Sequence, residues 1–142
     1  MIGECLCGAV AFEISGHTSN LYQCHCSRCR KVSGSASNTA LLVSNGQLKW
    51  LRGESEITKY SQGRDFKSHF CRHCGSPLPN TLKGNNGYWV PAGLINDKIN
   101  NRVSAHVFTG SKASWDIIPN EGVRFADKPD TETLYKTIER TC

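Results

Sequence analysis

Gly3-Glu-Cys-Leu-Cys-Gly-Ala-Val-Ala-Phe-Glu-Ile14 joins two signals: a C-x-C pair, Cys5 and Cys7, and a run in which Val10, Phe12 and Ile14 recur at every second position. Period two places those three side chains on one face of a half-buried strand. Two cysteines one or two positions apart can aim both sulfurs at one ion about 2.3 Å away, because a tight turn converges them on a tetrahedral centre. A strand leaving a metal-binding turn is therefore expected at the start of the chain.

The same pattern continues outward. Residues 39–43, 48–51, 57–60, 66–70, 87–90 and 103–108 read as further short strands, separated by Gly, Asn, Ser or Pro, with turns at Ser44-Asn-Gly46 and Gly84-Asn-Asn-Gly87. Thirteen glycines suit many short connections better than long helices. The expectation is a mainly β protein built of antiparallel sheets with few short helices. Helix is expected at 27–32, where Ser27 is a candidate cap, and at 130–140, where Asp130 can cap and Leu134 and Ile138 share a face. A length of 142 residues fits one domain, drawn as 1–126, followed by a docked or frayed tail over 127–142 that ends in an isolated Cys142.

Composition narrows the functional classes. A hydrophobic share of 38% supports a core and lies outside the range of disordered chains. Lys and Arg outnumber Asp and Glu by 17 to 12, a formal charge of +5 that favours anionic partners. Those basic residues are scattered, with neither a long Lys/Arg tail nor interleaved aromatics, so nucleic-acid binding is not expected. The apolar runs are too short to span a bilayer and the first residues lack the layout of a signal peptide, so a cytoplasmic protein is the expectation.

Eight cysteines carry the strongest signal. Seven fall into three clusters: Cys5-Leu-Cys7, Cys24-His-Cys26-Ser-Arg-Cys29 and Cys71-Arg-His-Cys74. Such grouping is that of metal sites, whereas disulfide scaffolds spread cysteines more evenly and belong to oxidising compartments. Seven thiolates divide into a closed set of four and an open set of three, which leaves one coordination position free for a reactant. Spacing prefers Cys24, Cys26 and Cys29 as the open set; a competing assignment adds His25, His69 or His73 and closes both sites. An ion bridging Cys7 and Cys71 would close a loop of more than sixty residues and hold the fold together.

Three motifs in this order, Gly3-Glu-Cys-Leu-Cys-Gly-Ala-Val10, Cys24-His-Cys-Ser-Arg-Cys-Arg30 with Gly34-Ser35, and Phe70-Cys-Arg-His-Cys-Gly-Ser76, resemble the glutathione-dependent formaldehyde-activating enzymes, a family that includes relatives of centromere protein V. Lys112-Ala-Ser-Trp115 is a fainter fourth element, so the likeness runs from about residue 3 to 118. The resemblance implies a zinc-stabilised β-tent, a structural zinc on Cys5, Cys7, Cys71 and Cys74, and a catalytic zinc on Cys24, Cys26 and Cys29. It further implies addition of glutathione to formaldehyde or a related aldehyde, a carbon-sulfur lyase activity used in detoxification. The rivals are a zinc-stabilised binding module without catalysis, or a glutathione carrier.

Other residues gain roles beside these clusters. Arg28, Arg30 and Lys31 are the cations nearest the open set and suit the carboxylates of glutathione, against an ordinary solvated surface; Ser35 suits a pocket wall or a simple turn. Lying between two ligands, His25 fits either a proton relay or a packing and hydrogen-bonding role, and alternation along C-x-C turns it away from the sulfurs. Trp50, Trp89 and Trp115 read more as core than as ligand platforms, and Trp115 alone gains weight as a platform because it lies in the family-like segment. Without an ion, three exposed thiolates would be prone to oxidation.

Overall fold

The computed structural model describes residues 1–84 and 86–140. Cys142, and Asn85 within the expected 84–87 turn, lie outside them. In chain order come β1 (Ile2–Glu4), β2 (Ala11–Thr18), β3 (Leu21–Cys24), α1 (Ser27–Ser33), β4 (Asn38–Arg52), β5 (Ile57–Gln62), β6 (Phe66–Cys71), β7 (Pro77–Leu78), β8 (Asn80–Thr81), β9 (Gly87–Pro91), β10 (Val103–Val107), β11 (Val123–Arg124) and α2 (Thr131–Ile138). The fold is mainly β, with mixed and antiparallel pairing. No helix among the described residues is long and apolar enough to cross a membrane.

Two compact units interleave along the chain. The first comprises Met1–Thr18 and Leu42–Ile99. Here β1, β2 and the 42–52 part of β4 pair antiparallel in that order. Val10, Phe12 and Ile14 are all buried while Glu13 and Ser15 face solvent, as alternation requires. Phe12 meets Trp50, its partner across the ladder, edge to face at 6.1 Å. A smaller antiparallel sheet, β5-β6-β7, ends its middle strand at Cys71, and β9 pairs with β8 and β4.

The expected turn at Ser44-Asn-Gly46 is instead an irregularity inside β4. Ser15 faces Gln47 while His17 faces Ser44, so Asn45 and Gly46 oppose the single residue Gly16. Asn45 takes a φ of 49°, and a Cβ on Gly46 would sit 2.4 Å from the Ser15 carbonyl oxygen. Turn residues at this point make a bulge that lets two backbones touch, and they do not end the strand.

The second unit comprises Ser19–Leu41 and the described residues from Asn100 onward. Its β3 pairs antiparallel with the 38–41 part of β4 and parallel with β10, which in turn pairs parallel with β11. These two parallel ladders depart from the purely antiparallel expectation. In their register, Gln23 lies opposite His106 and Cys24 opposite Val107. Helix α2 packs on β10 through buried Leu134 and Ile138, and the Asp130 side chain caps it by accepting from the Thr133 amide at 2.9 Å. Asn20, just before β3, donates its amide to the Ile138 carbonyl at 2.7 Å and its side chain to the Glu139 carbonyl. The C-terminal helix thus docks on the strand that leads to Cys24.

Candidate metal and thiol centres

None of the seven described cysteines is in a disulfide, and their sulfurs gather into two groups, each lying wholly within one unit. In the first unit, Cys5, Cys7, Cys71 and Cys74 hold their sulfurs within 4.8 Å of one another. Two short turns build this group. Gly8 donates to the Cys5 carbonyl at 2.9 Å and Val10 to the Cys5 sulfur at 3.3 Å; Gly75 donates to the Cys71 carbonyl at 2.8 Å. Each turn closes on a glycine with φ of +74°. Ser76 joins them, accepting from the Leu6 amide at 3.1 Å while lying 3.3 Å from the Cys74 sulfur.

In the second unit, Cys24, Cys26 and Cys29 also hold their sulfurs within 4.8 Å of one another. Cys24 ends β3, and Cys26 caps α1 with its sulfur accepting from the Cys29 amide at 3.4 Å. The cap expected at Ser27 is therefore one residue earlier, on a candidate ligand. Among the described residues no histidine joins either group. His73 is engaged by Glu56, and both ring nitrogens of His25 are bonded elsewhere.

Electrostatics within the groups are those of crowded thiols. In the second, hydrogen bonding from the Cys29 thiol and the Cys26 amide and thiol, with attraction from Lys128, outweighs burial and lowers Cys24 to about 6. Cys29 is raised by donating to Cys24, by burial and by the negative charge beside it. In the first, the Ser76 hydroxyl and amide lower Cys74 to about 5; at Cys7 the help of the Ala9 amide is overcome by desolvation and neighbouring thiols, giving about 12. Like charges packed this closely cannot all ionise without a cation.

The donor sets fit such a cation. A tetrahedral ion with 2.3 Å bonds to sulfur separates its ligands by about 3.8 Å; the Cys5–Cys7 and Cys7–Cys71 sulfurs are 3.6 and 3.8 Å apart. Thiolate sets of this kind suit soft or borderline metals. Four sulfurs could close a site around an ion in the first group, whereas the second offers three among the described residues.

The remaining candidates take varied positions. Arg30 is half-buried and donates to the Ser111 carbonyl at 3.3 Å, and its Nε is buried with no partner. Arg28, Lys31 and Ser35 are exposed, Ser35 following the left-handed Gly34 that ends α1. Trp115 is 68% exposed and so belongs to no core. A cavity of about 730 Å³ bounded in part by Arg102, His106 and Glu121 contains none of the cysteines.

Sequence reasoning missed Asp116, His106's contact with His25, and Lys128. His25 Nδ1 lies 2.8 Å from Asp116 Oδ2, His25 Nε2 3.1 Å from His106 Nδ1, and His106 Nε2 3.1 Å from the Glu121 carbonyl. All three side chains are buried. Burial holds His106 below the ordinary imidazole value, which favours the uncharged ring. Sequence offered one pointer, the alternation that turns His25 away from its cysteine neighbours.

Residues 1–111 match the family model described as glutathione-dependent formaldehyde-activating enzyme, a span that holds all seven clustered cysteines. The chain belongs to that family. Among solved structures, a crystal structure of a Rhodobacter sphaeroides protein is similar at 28% identity with a TM-score of 0.58, covering 70% of this chain and 92% of the other. No curated protein matches. Asp116 lies beyond the residues that match the glutathione-dependent formaldehyde-activating family.

Proposed function

We propose that this protein binds two zinc ions and adds the thiol of glutathione to formaldehyde or a related aldehyde, giving S-hydroxymethylglutathione in the carbon-sulfur lyase class. The supporting observation is the unequal pair of sulfur groups: four converging ligands in one and three in the other. Cys5, Cys7, Cys71 and Cys74 would hold a structural ion, and Cys24, Cys26 and Cys29 a catalytic one. An ion held by Cys24, Cys26 and Cys29 would supply acidification of an incoming thiol.

The chain's own residues do the rest. Three cysteinates give their centre a negative balance, which favours presenting a thiolate over polarising a carbonyl. Arg28, Arg30 and Lys31 supply positive charge for the glutathione carboxylates. In the addition a carbon-sulfur bond forms as the carbonyl π bond opens, and the proton given up by the thiol is balanced by the one that turns the former carbonyl oxygen into a hydroxyl. The cytoplasm, where thiols stay reduced, is the compartment this chemistry suits.

Metal content of the purified protein and of Cys26→Ala, followed by calorimetric titration with glutathione, tests the assignment. Two zinc ions falling to one, with glutathione binding lost, is the expected result. A variant that keeps both ions and binds glutathione normally overturns it.

A further inference from the structure

The four-cysteine group joins two turns that are remote in sequence, so an ion there is gripped from two sides of its unit. The three-cysteine group has no such second grip. All its ligands come from residues 24–29, and a short segment holds three sulfurs in place only if something else fixes its shape.

Asp116, His25 and His106 are placed to do this. The main chain of His25 is tied to β10 by its amide, which donates to the Val107 carbonyl at 3.0 Å. Its ring is 2% exposed and is fastened at both nitrogens. Beyond β10 the chain leaves through Phe108, a bulky residue at the left-handed φ of 57°, and forms the loop that carries Asp116. That loop is stapled by the Lys112 ammonium, which donates to the Asp116 carbonyl at 2.7 Å, and by Arg30 of α1, which donates to the Ser111 carbonyl.

The hydrogen bonds have one consistent direction. The Glu121 carbonyl only accepts, so His106 Nε2 carries the proton and His106 Nδ1 accepts. His25 Nε2 then donates to His106, and the proton between His25 Nδ1 and Asp116 completes the chain. Both ring nitrogens of His25 thus have a buried partner, and the carboxylate of Asp116 is the one on the Nδ1 side. Loss of that end leaves a buried ring nitrogen without its partner, which is costly in a dry interior.

We propose that Asp116 and His106 are positioning residues for the three-cysteine centre: acting through the buried ring of His25, they lock the Cys24–Cys26 segment in the shape that converges its sulfurs. Their role rests on that centre being a metal site. Partners of this kind typically alter metal affinity by about 10–100-fold.

The test uses the full chain loaded with cobalt(II), whose thiolate absorption reports each centre, with chelator competition to rank the two ions. Asp116→Ala is expected to weaken the three-cysteine ion by about 10–100-fold and to change its absorption, leaving the four-cysteine ion as in the parent. Asp116→Asn, which retains an acceptor of the same shape, is expected to recover part of the affinity. Should Asp116→Ala fail to fold, Asp116→Asn alone is expected to release the three-cysteine ion faster than the parent. Parent-like affinity and absorption in Asp116→Ala or, where that variant does not fold, parent-like release in Asp116→Asn overturns the positioning role, as does equal weakening of both ions. Cys26→Ala run in parallel keeps the two questions apart: if it retains both ions the metal-centre assignment itself fails, whereas loss of one ion there with an unaffected Asp116→Ala removes only the positioning role.

Discussion

The two sulfur groups solve the same problem with different supports. Cys5/Cys7 and Cys71/Cys74 sit on two glycine-closed turns more than sixty residues apart, and each turn is satisfied by its own backbone and by Ser76. Cys24, Cys26 and Cys29 sit on one strand end and one helix start, backed by a buried imidazole. Closure over a long loop makes the first group a fastening for its unit, since an ion there removes freedom from the unfolded chain. Local placement makes the second nearly irrelevant to chain entropy, and its three sulfurs are one short of a closed tetrahedral set.

Breaking each group in turn gives the largest contrast. Structural zinc in small domains contributes about 10–16 kcal/mol, comparable with the whole stability of a domain at about 5–15 kcal/mol. Cys71→Ser, or excess chelator, is expected to abolish the cooperative thermal transition of the parent. Cys26→Ser is expected to lose one ion while lowering the melting temperature by less than about 8 °C, the equivalent of about 1–2 kcal/mol. Calorimetric melting of both variants checks this, and equal collapse of the two would erase the distinction between a fastening and a working centre.

How far this contrast was legible in the sequence depends on range. The three cysteine clusters and the buried face of β2 were visible because their signals are local, spacing within six residues and alternation of Val10, Phe12 and Ile14, whereas joining Cys5/Cys7 to Cys71/Cys74 came from counting ligands and from the family resemblance. Asn45-Gly46 misled because the same residues that turn a chain also permit a bulge, and only the close approach of Gly16 decides between them. The parallel ladder of β3 with β10 joins residues some eighty positions apart and leaves no local trace. For the same reason the Asp116–His25–His106 chain was invisible. An isolated aspartate after an exposed tryptophan carries no pattern, and a buried histidine reads like any other. Cys26 rather than Ser27 caps α1 because its sulfur is the acceptor in reach of the Cys29 amide.

A smaller effect sharpens the difference between the turns. Gly75 has φ of +74° and open space where a Cβ would go, so an alanine there meets only the backbone penalty of a left-handed residue, about 1–2 kcal/mol. Gly75→Ala is expected to weaken the four-cysteine ion by about 5–30-fold with the three-cysteine ion unchanged. Gly34 is the control, because it too is left-handed with open space but lies past the end of α1. Gly34→Ala is expected to cost similar stability and to move neither ion affinity by more than about twofold, since its penalty is spent outside the ligand turn. Chelator competition on both variants distinguishes a turn that shapes its ligands from one that merely ends a helix.

The smallest expected effect lies on the outer side of the Cys71–Cys74 turn. There the Glu56 carboxylate accepts from His73 Nε2, and the Glu56 carbonyl accepts from the Arg72 amide at 2.9 Å. The bond from His73, with help from Ser55 and the charges of His73 and Arg72, holds the Glu56 carboxyl below its ordinary value of 4.5. A carboxyl lowered on folding adds stability above its unfolded value, and that contribution fades as pH falls through the folded value. Glu56→Gln keeps the side chain's shape and removes the charge. At pH 7 it is expected to speed release of the four-cysteine ion by no more than about twofold, because an exposed pair of this kind is weak. The gap between the parent and Glu56→Gln should then close below pH 4.5. Protonation of the thiolates in acid is common to both proteins, so the difference between their release rates, followed from pH 7 downward, isolates Glu56. A gap that widens below pH 4.5 would mean that Glu56 supports the turn through its protonated form, and the four-cysteine group would then be less self-sufficient than its two glycine-closed turns suggest.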